Sequence, residues 1–319
     1  MFDVVALGEC LIDFTPSGTD AMGMPLYSQN PGGAPANVLA MYARLGGKTA
    51  FIGMVGRDGF GQFLRQALTE AGIDVSGLGQ TEACHTTLAF VHLDGEGDRS
   101  FSFYRKPGAD LMLRREDVDP ELLSHCGVFH FGSLSLTGEP SRSATLWAAE
   151  TARRAGALIS YDPNYRPLLW DSEGQAAEEM RRALPLADVV KVSEEEMTLL
   201  TGETDLERGA GKLADQGAAL VLVTRGAGGA YFRAPGGRGL VRAYPVEARD
   251  TTGAGDAFLG AMLWRLRGRR AVGLAAIGQS EWEEHVAFAN AAGALTATRR
   301  GAIPAMPTLE ELTGFQRRG

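Results

Sequence analysis

The sequence predicts an α/β protein, a doubly wound and mostly parallel sheet with helices on both faces and a small β-rich attachment. Three observations carry this prediction. Short apolar runs alternate with longer stretches of helical spacing along most of the chain. One stretch near residues 86–104 breaks the alternation with period-two patterning around a glycine turn, which reads as a hairpin. The 319 residues are 45% apolar and 22% charged, the balance of a soluble globular chain long enough to bury a core without disulfides or metal.

Taken in order, Val4 to Leu7 form an apolar run closed by Gly8, the pattern of a buried strand. Residues 36–45 have helical spacing, and Gly46-Gly47 stops them. Residues 50–55 predict a strand. Residues 61–71 predict a helix with Phe63, Leu64, Ala67 and Leu68 on one face, ended by Gly72. Thr87, Ala89, Val91 and Leu93 then alternate with other residues. Asp94-Gly95-Glu96-Gly97 makes the turn, and residues 100–104 are β-like again. Strands follow at 128–131, 158–161, 189–192 and 220–224. Helices follow at 141–155, 176–184, 194–200, 206–216, 255–266 and 282–298. Glycine-rich residues 235–239 predict a surface turn. Repeated strand–helix units make a parallel sheet, and ligands of such sheets bind at the carboxyl ends of the strands.

Charge and cysteines narrow the function. The chain has 31 Lys and Arg against 39 Asp and Glu, a formal charge of −8. Its basic pairs are scattered, so nucleic acid is not expected as a partner. Cys10, Cys84 and Cys126 are odd in number and form no CxxC pattern. They read as reduced thiols, small apolar residues of a cytoplasmic protein. The first residues carry no basic leader, and no window approaches the roughly 18 apolar residues of a membrane span, so no membrane partner is expected.

The most informative stretch runs Asp250-Thr251-Thr252-Gly253-Ala254-Gly255-Asp256 into an apolar helix. Gly253 and Gly255 let successive N–H groups around Ala254 curl toward one cavity, and the helix start adds partial positive charge. Together they make an anion hole suited to the charge that develops on a transferred phosphoryl group. Asp256 at its edge can accept a hydroxyl proton and orient the oxygen for in-line attack. Read alone, Asp256 is equally a helix cap, but a simple cap needs no glycine nest. There is no GxxxxGK[ST], and Phe258 stands where a dinucleotide fingerprint needs glycine. A P-loop enzyme is excluded, and a dinucleotide oxidoreductase is disfavoured.

Two more stretches are polar at strand or helix ends. Gly32 and Gly33 permit close backbone approach before a helix, and Asn37 offers a donor and an acceptor to sugar hydroxyls. Those residues are equally a loop and a helix start. Asp162-Pro163-Asn164-Tyr165-Arg166 follows a strand and is either a polar site or turn chemistry.

GGAPANVLAMYARLGG, then GMVGRDGFG, then DTTGAGDAF resemble the two signature regions of the PfkB (ribokinase-like) carbohydrate kinases, in the same order and spacing. The resemblance spans Gly8 to Pro304, and GECLIDFTP, FSFYRKPGAD, FHFGSLSL and YDPNYRPLLW are most like fructokinases. It implies a single domain over 1–319 with a lid from segments near 10–30 and 84–108, which closes over the sugar. It implies transfer from ATP to a hydroxymethyl group, most simply fructose to fructose 6-phosphate. The alternatives are a 2-keto-3-deoxygluconate kinase, a ribokinase or nucleoside kinase, and a catalytically inactive sugar sensor.

For individual residues, the resemblance implies that Asp13, Gly32, Gly33, Asn37, Arg105, Asp162 and Arg166 surround the sugar. Thr224, Gly226, Gly229 and Asn290 would meet ATP, with Ser193 near them. Glu196 would organise magnesium through water. Ser193 stands where many relatives carry Asn. Some relatives bind potassium beside the equivalents of Asp250 and Thr252, and that point stays open. By analogy the lid would also pair two copies as a homodimer.

Overall fold

The computed structural model describes residues 1–93 and 99–317, so the turn expected at Asp94 to Gly97 lies outside the described residues. The strands are β1 (Phe2–Leu7), β2 (Leu11–Thr19), β3 (Pro25–Gly32), β4 (Thr49–Gly56), β5 (Ile73–Asp74), β6 (Leu78–Thr81) and β7 (Leu88–Leu93). They continue as β8 (Arg99–Tyr104), β9 (Cys126–Gly132), β10 (Leu158–Asp162), β11 (Val189–Ser193), β12 (Leu220–Thr224), β13 (Ala230–Ala234) and β14 (Gly237–Val241). The helices are α1 (Ala34–Arg44), α2 (Gly59–Glu70), α3 (Pro120–Ser124), α4 (Ser141–Arg154) and α5 (Glu173–Ala183). After them come α6 (Glu194–Thr201), α7 (Leu206–Ala214), α8 (Ala254–Arg265), α9 (Gln279–Ala297) and α10 (Leu309–Gln316).

The main sheet has the order β14-β13-β12-β11-β10-β9-β1-β4-β5, with β6 also on β4. Pairing is parallel from β12 across to β5 and antiparallel only at the β12-β13-β14 edge. Both faces are covered. Val4 and Ala6 of β1 join the core built with α1, α8 and α9, while Val5 and Leu7 join the core on the α4 and α5 side. That is why the central strands read as unbroken apolar runs rather than alternating ones.

The strand order reverses at β1, which lies between β9 and β4. In open α/β sheets the carboxyl ends of the strands at such a reversal are where a ligand crevice is expected. The chain leaves β1 into a second sheet of order β3-β2-β7-β8 and returns at α1. β2 and β7 run parallel, and the two outer pairs are antiparallel.

Several features differ from the sequence expectation, β13 and α10 among them. Residues 235–239 are not all turn, because Gly237 and Gly239 belong to β14. A Cβ on Gly236 would stand 1.8 Å from the Ile277 carbonyl oxygen, and one on Gly237 2.3 Å from Gln279 Oε1. The glycines let an edge hairpin lie against the start of α9, and they erase its strand signal. β5, β6 and α3 escaped notice because they are too short to show a period.

Candidate active site

α8 begins at the crevice. Gly253 caps it with φ 76°, a left-handed conformation that favours glycine, and a Cβ there would stand 2.7 Å from Ala302 Cβ. The Ala254 N–H donates to the Thr251 carbonyl at 3.2 Å, so Ala254 contributes less to the nest than its neighbours. The N–H groups of Gly255 and Asp256 donate to no other group among the described residues, as expected in a first helical turn. Asp250 braces the approach: Oδ1 accepts from the Thr252 N–H at 3.0 Å and its hydroxyl at 2.7 Å, and Oδ2 from the Gly301 N–H at 3.0 Å.

Asp256 is 8% exposed, and its Oδ2 accepts from Asn37 Nδ2 at 2.8 Å. This one bond joins the two motif regions, 219 residues apart in sequence. Burial pushes the Asp256 carboxyl up to about 6, and the nearby Asp162 adds to the rise; Lys191, Asn37 and Arg166 oppose it. Asp13 on β2 is pushed up to about 7, by burial first and by the charges of Asp256 and Asp250, against Arg166. Gly32 lies beside it in the second sheet, and a Cβ on Gly32 would stand 2.1 Å from Asp13 Oδ2. Gly33 has φ 111° and lets α1 start against the Glu9 carbonyl, 2.3 Å from where its Cβ would be.

Asp162 ends β10. Its Oδ1 accepts from the Asn164 N–H at 3.2 Å, which is turn chemistry, and its Oδ2 accepts from Lys191 Nζ at 2.7 Å. Arg166 is exposed, and its charge bears on both Asp13 and Asp256. Ser193 caps α6: its hydroxyl accepts from the Glu196 N–H at 3.1 Å, while Glu196 Oε2 accepts from the Ser193 N–H at 2.7 Å. Glu196 Oε1 also accepts from the Tyr165 N–H at 2.6 Å, and burial raises its pKa.

Thr224, Gly226, Gly229 and Asn290 line one cavity of about 640 Å³, which Ala254 and Gly255 also line. Ser193 does not line it. It lies beside Thr224 in the β11–β12 register instead. Asn290 is a wall of the cavity, and its Nδ2 pins the Val241 and Arg242 carbonyls at 3.0 and 3.2 Å.

Arg105 follows β8, and its side chain is held by partners that the sequence did not point to. It is buried at the base of the second sheet, where Nε and Nη2 bond Asp110, Nη1 bonds Thr137 Oγ1 at 2.8 Å and Nη2 bonds the Leu134 carbonyl at 2.8 Å. Buried guanidinium donors must be satisfied, and these partners hold most of them. Two residues went unremarked in the sequence. Glu9 is buried, accepts from the Ala34 N–H at 2.9 Å and is pushed up to about 7, by burial first. Lys191 is a lone basic residue inside an apolar strand, and only the β10–β11 register brings it to Asp162.

A buried carboxylate beside a glycine nest, with an open cleft lined in part by the same nest, is the arrangement of a phosphotransferase acting on an alcohol. The chain belongs to the pfkB family of carbohydrate kinases, whose family model matches residues 1–309. It is 46% identical over 312 residues to fructokinase-1 of Oryza sativa subsp. japonica, covering 97% of this chain and 96% of that protein. The crystal structure of fructokinase with bound ATP from Xylella fastidiosa superposes with a TM-score of 0.92 at 38% identity, covering 100% and 99% of the two chains. Fructokinase from Vibrio cholerae O395, in its fructose, ADP and calcium bound form, gives 0.87 at 38% identity, covering 98% and 99%. The fold is ribokinase-like, and the protein is an ATP-dependent carbohydrate kinase.

Proposed function

We propose that this protein phosphorylates fructose with ATP, giving fructose 6-phosphate. The observation that carries the reading is the Asn37–Asp256 bond, which sets a buried base between the second sheet and the nucleotide cleft. Asp13, Gly32, Gly33 and Asn37 face the sugar from the lid side, and Arg166 stands near Asp13 and Asp256. Arg105 keeps one Nη1 N–H for a sugar oxygen while its other donors hold the base of the lid.

Asp256 takes the proton of the hydroxymethyl group as its oxygen attacks the γ-phosphorus. The N–H groups of Gly255 and Asp256, with a smaller share from Ala254, receive the charge on the transferring group. Closure of the second sheet over the sugar excludes water. ATP fits the cleft lined by Thr224, Gly226, Gly229 and Asn290.

Among the described residues no group of three or more His, Cys, Asp or Glu side chains could cage a metal. Glu196, both of whose oxygens accept backbone N–H groups, fits a magnesium ion held through water and phosphate oxygens rather than directly. Such an ion supplies positive charge to the β- and γ-phosphates. The oxygens of Asp250 and Thr252 are the candidate surroundings for potassium.

The test is ADP release with fructose, 2-keto-3-deoxygluconate, ribose and adenosine offered in parallel. Fructose is expected to be preferred. Turnover with 2-keto-3-deoxygluconate alone overturns the substrate and leaves the base in place. ATP binding without sugar-dependent turnover would instead mark a sensor.

A further inference from the structure

Lys191 is 7% exposed and Asp162 1% exposed, and they form a buried ion pair. Replacing such a pair with well-packed apolar residues is often neutral or stabilising, so stability alone does not explain it. Its position offers another reason. A Cβ on Gly255 would stand 3.2 Å from Lys191 Nζ. The ammonium therefore lies against the second residue of α8, where the unpartnered N–H groups of Gly255 and Asp256 emerge. Gly255 has no left-handed φ to require glycine, unlike Gly253. Its missing side chain leaves room for this ammonium. An ammonium has three donors, and Asp162 takes one. The other two have no partner among the described residues. Its electrostatic neighbours are Asp162, Glu196 and Asp256, three carboxylates around one cation.

We propose that Lys191 is a further catalytic residue, donating to an oxygen of the γ-phosphoryl group as that group crosses the nest. The inference rests on reading Asp256 as the base. The new bond joins the sugar oxygen to the γ-phosphorus, and the bond to the β–γ bridging oxygen breaks. The sugar proton goes to Asp256. Lys191 keeps its own proton throughout and supplies charge and hydrogen bonds. Asp162 holds the ammonium in place between turnovers.

The variants are Lys191→Met and Lys191→Gln, the second retaining a donor to Asp162. Either is expected to lower kcat by about 10²–10³, the usual loss when one donor to a developing oxyanion is removed. With fructose present, the affinity for ADP plus aluminium fluoride, which mimics the transferring group, should fall by a similar factor. The affinity for ADP alone should hold within about threefold, a split that a merely structural lysine would not produce. A folded Lys191→Gln with near wild-type kcat overturns the proposal. So does an equal loss for ADP alone and for the mimic. Asp256→Asn, run in parallel, separates the two readings. If it is inactive while Lys191→Gln turns over normally, only the lysine proposal fails; if it is active, the base assignment fails too.

Discussion

At the scale of single residues, the site is a group of buried carboxylates whose charges the fold makes unfavourable. Asp256 illustrates the sign. Its carboxyl rises from 3.8 to about 6, by burial first. In the unfolded chain it ionises near the ordinary value, so the fold is favoured while the proton stays on. That advantage is lost as pH rises through about 6, where the fold must hold the charge. Asp256→Asn is therefore expected to raise Tm at pH 8, by stabilisation on the order of 2 kcal/mol, with the gain vanishing below about pH 4. The same variant should lose about 10²–10⁴ in kcat. In the wild type, kcat/KM should rise with pH through an apparent pKa near 6, since the base must be ionised. A pH–rate profile and thermal melts at pH 4 and 8 check both arms, and a flat profile with unchanged melts would refute them. Asp256, Asn37 and the glycines were legible because their spacing is chemistry. Lys191 was not, because a lysine in an apolar strand acquires a role only from the strand beside it, and register is a tertiary fact.

At the scale of elements, the second sheet is tied down where β8 meets the main domain. Asp110 accepts from Arg105 Nε at 2.8 Å and from Thr87 Oγ1 at 2.5 Å, and all three side chains are buried. Removing one partner of a buried pair strands the other charge. Asp110→Asn is expected to destabilise the protein by about 3–5 kcal/mol, read from urea unfolding. A loss under about 1 kcal/mol would mean that Arg105 stays solvated and is not an anchor. The FYRKPGAD stretch marked Arg105, but not the partners that its side chain bonds. The guanidinium turns toward Leu134 and Thr137, residues about thirty positions away that the sequence gives no cue to place. Long periodic elements such as α4 and α9 could be read directly. The β13–β14 edge could not, since the glycines that let it pack against α9 remove its pattern.

At the scale of the whole molecule, the second sheet leaves both of its outer strands unpaired at the edge among the described residues. Those strands carry exposed apolar side chains, Leu26 (46%) and Tyr27 (39%) on β3, and Phe101 (38%) and Tyr104 (66%) on β8. Tyr27 and Tyr104 each meet Phe90 edge-on, so the aromatic layer continues to the sheet margin. Open edges with apolar side chains favour pairing with another chain unless they are covered. Two copies related by a twofold axis would cover each other's edges, and a net charge of −8 would keep the remaining surface soluble. The protein is therefore expected to sediment as a dimer at micromolar concentration, and the double variant Tyr27→Glu/Tyr104→Glu as a monomer. Because the same sheet carries Asp13, separating the copies should loosen it. The KM for fructose should then rise several-fold, while that for ATP, proposed to bind the cleft at β12 and α9, stays put. A wild-type monomer across that range would refute the pairing, and a monomeric variant with an unchanged KM for fructose would show that the second sheet needs no partner to hold the sugar.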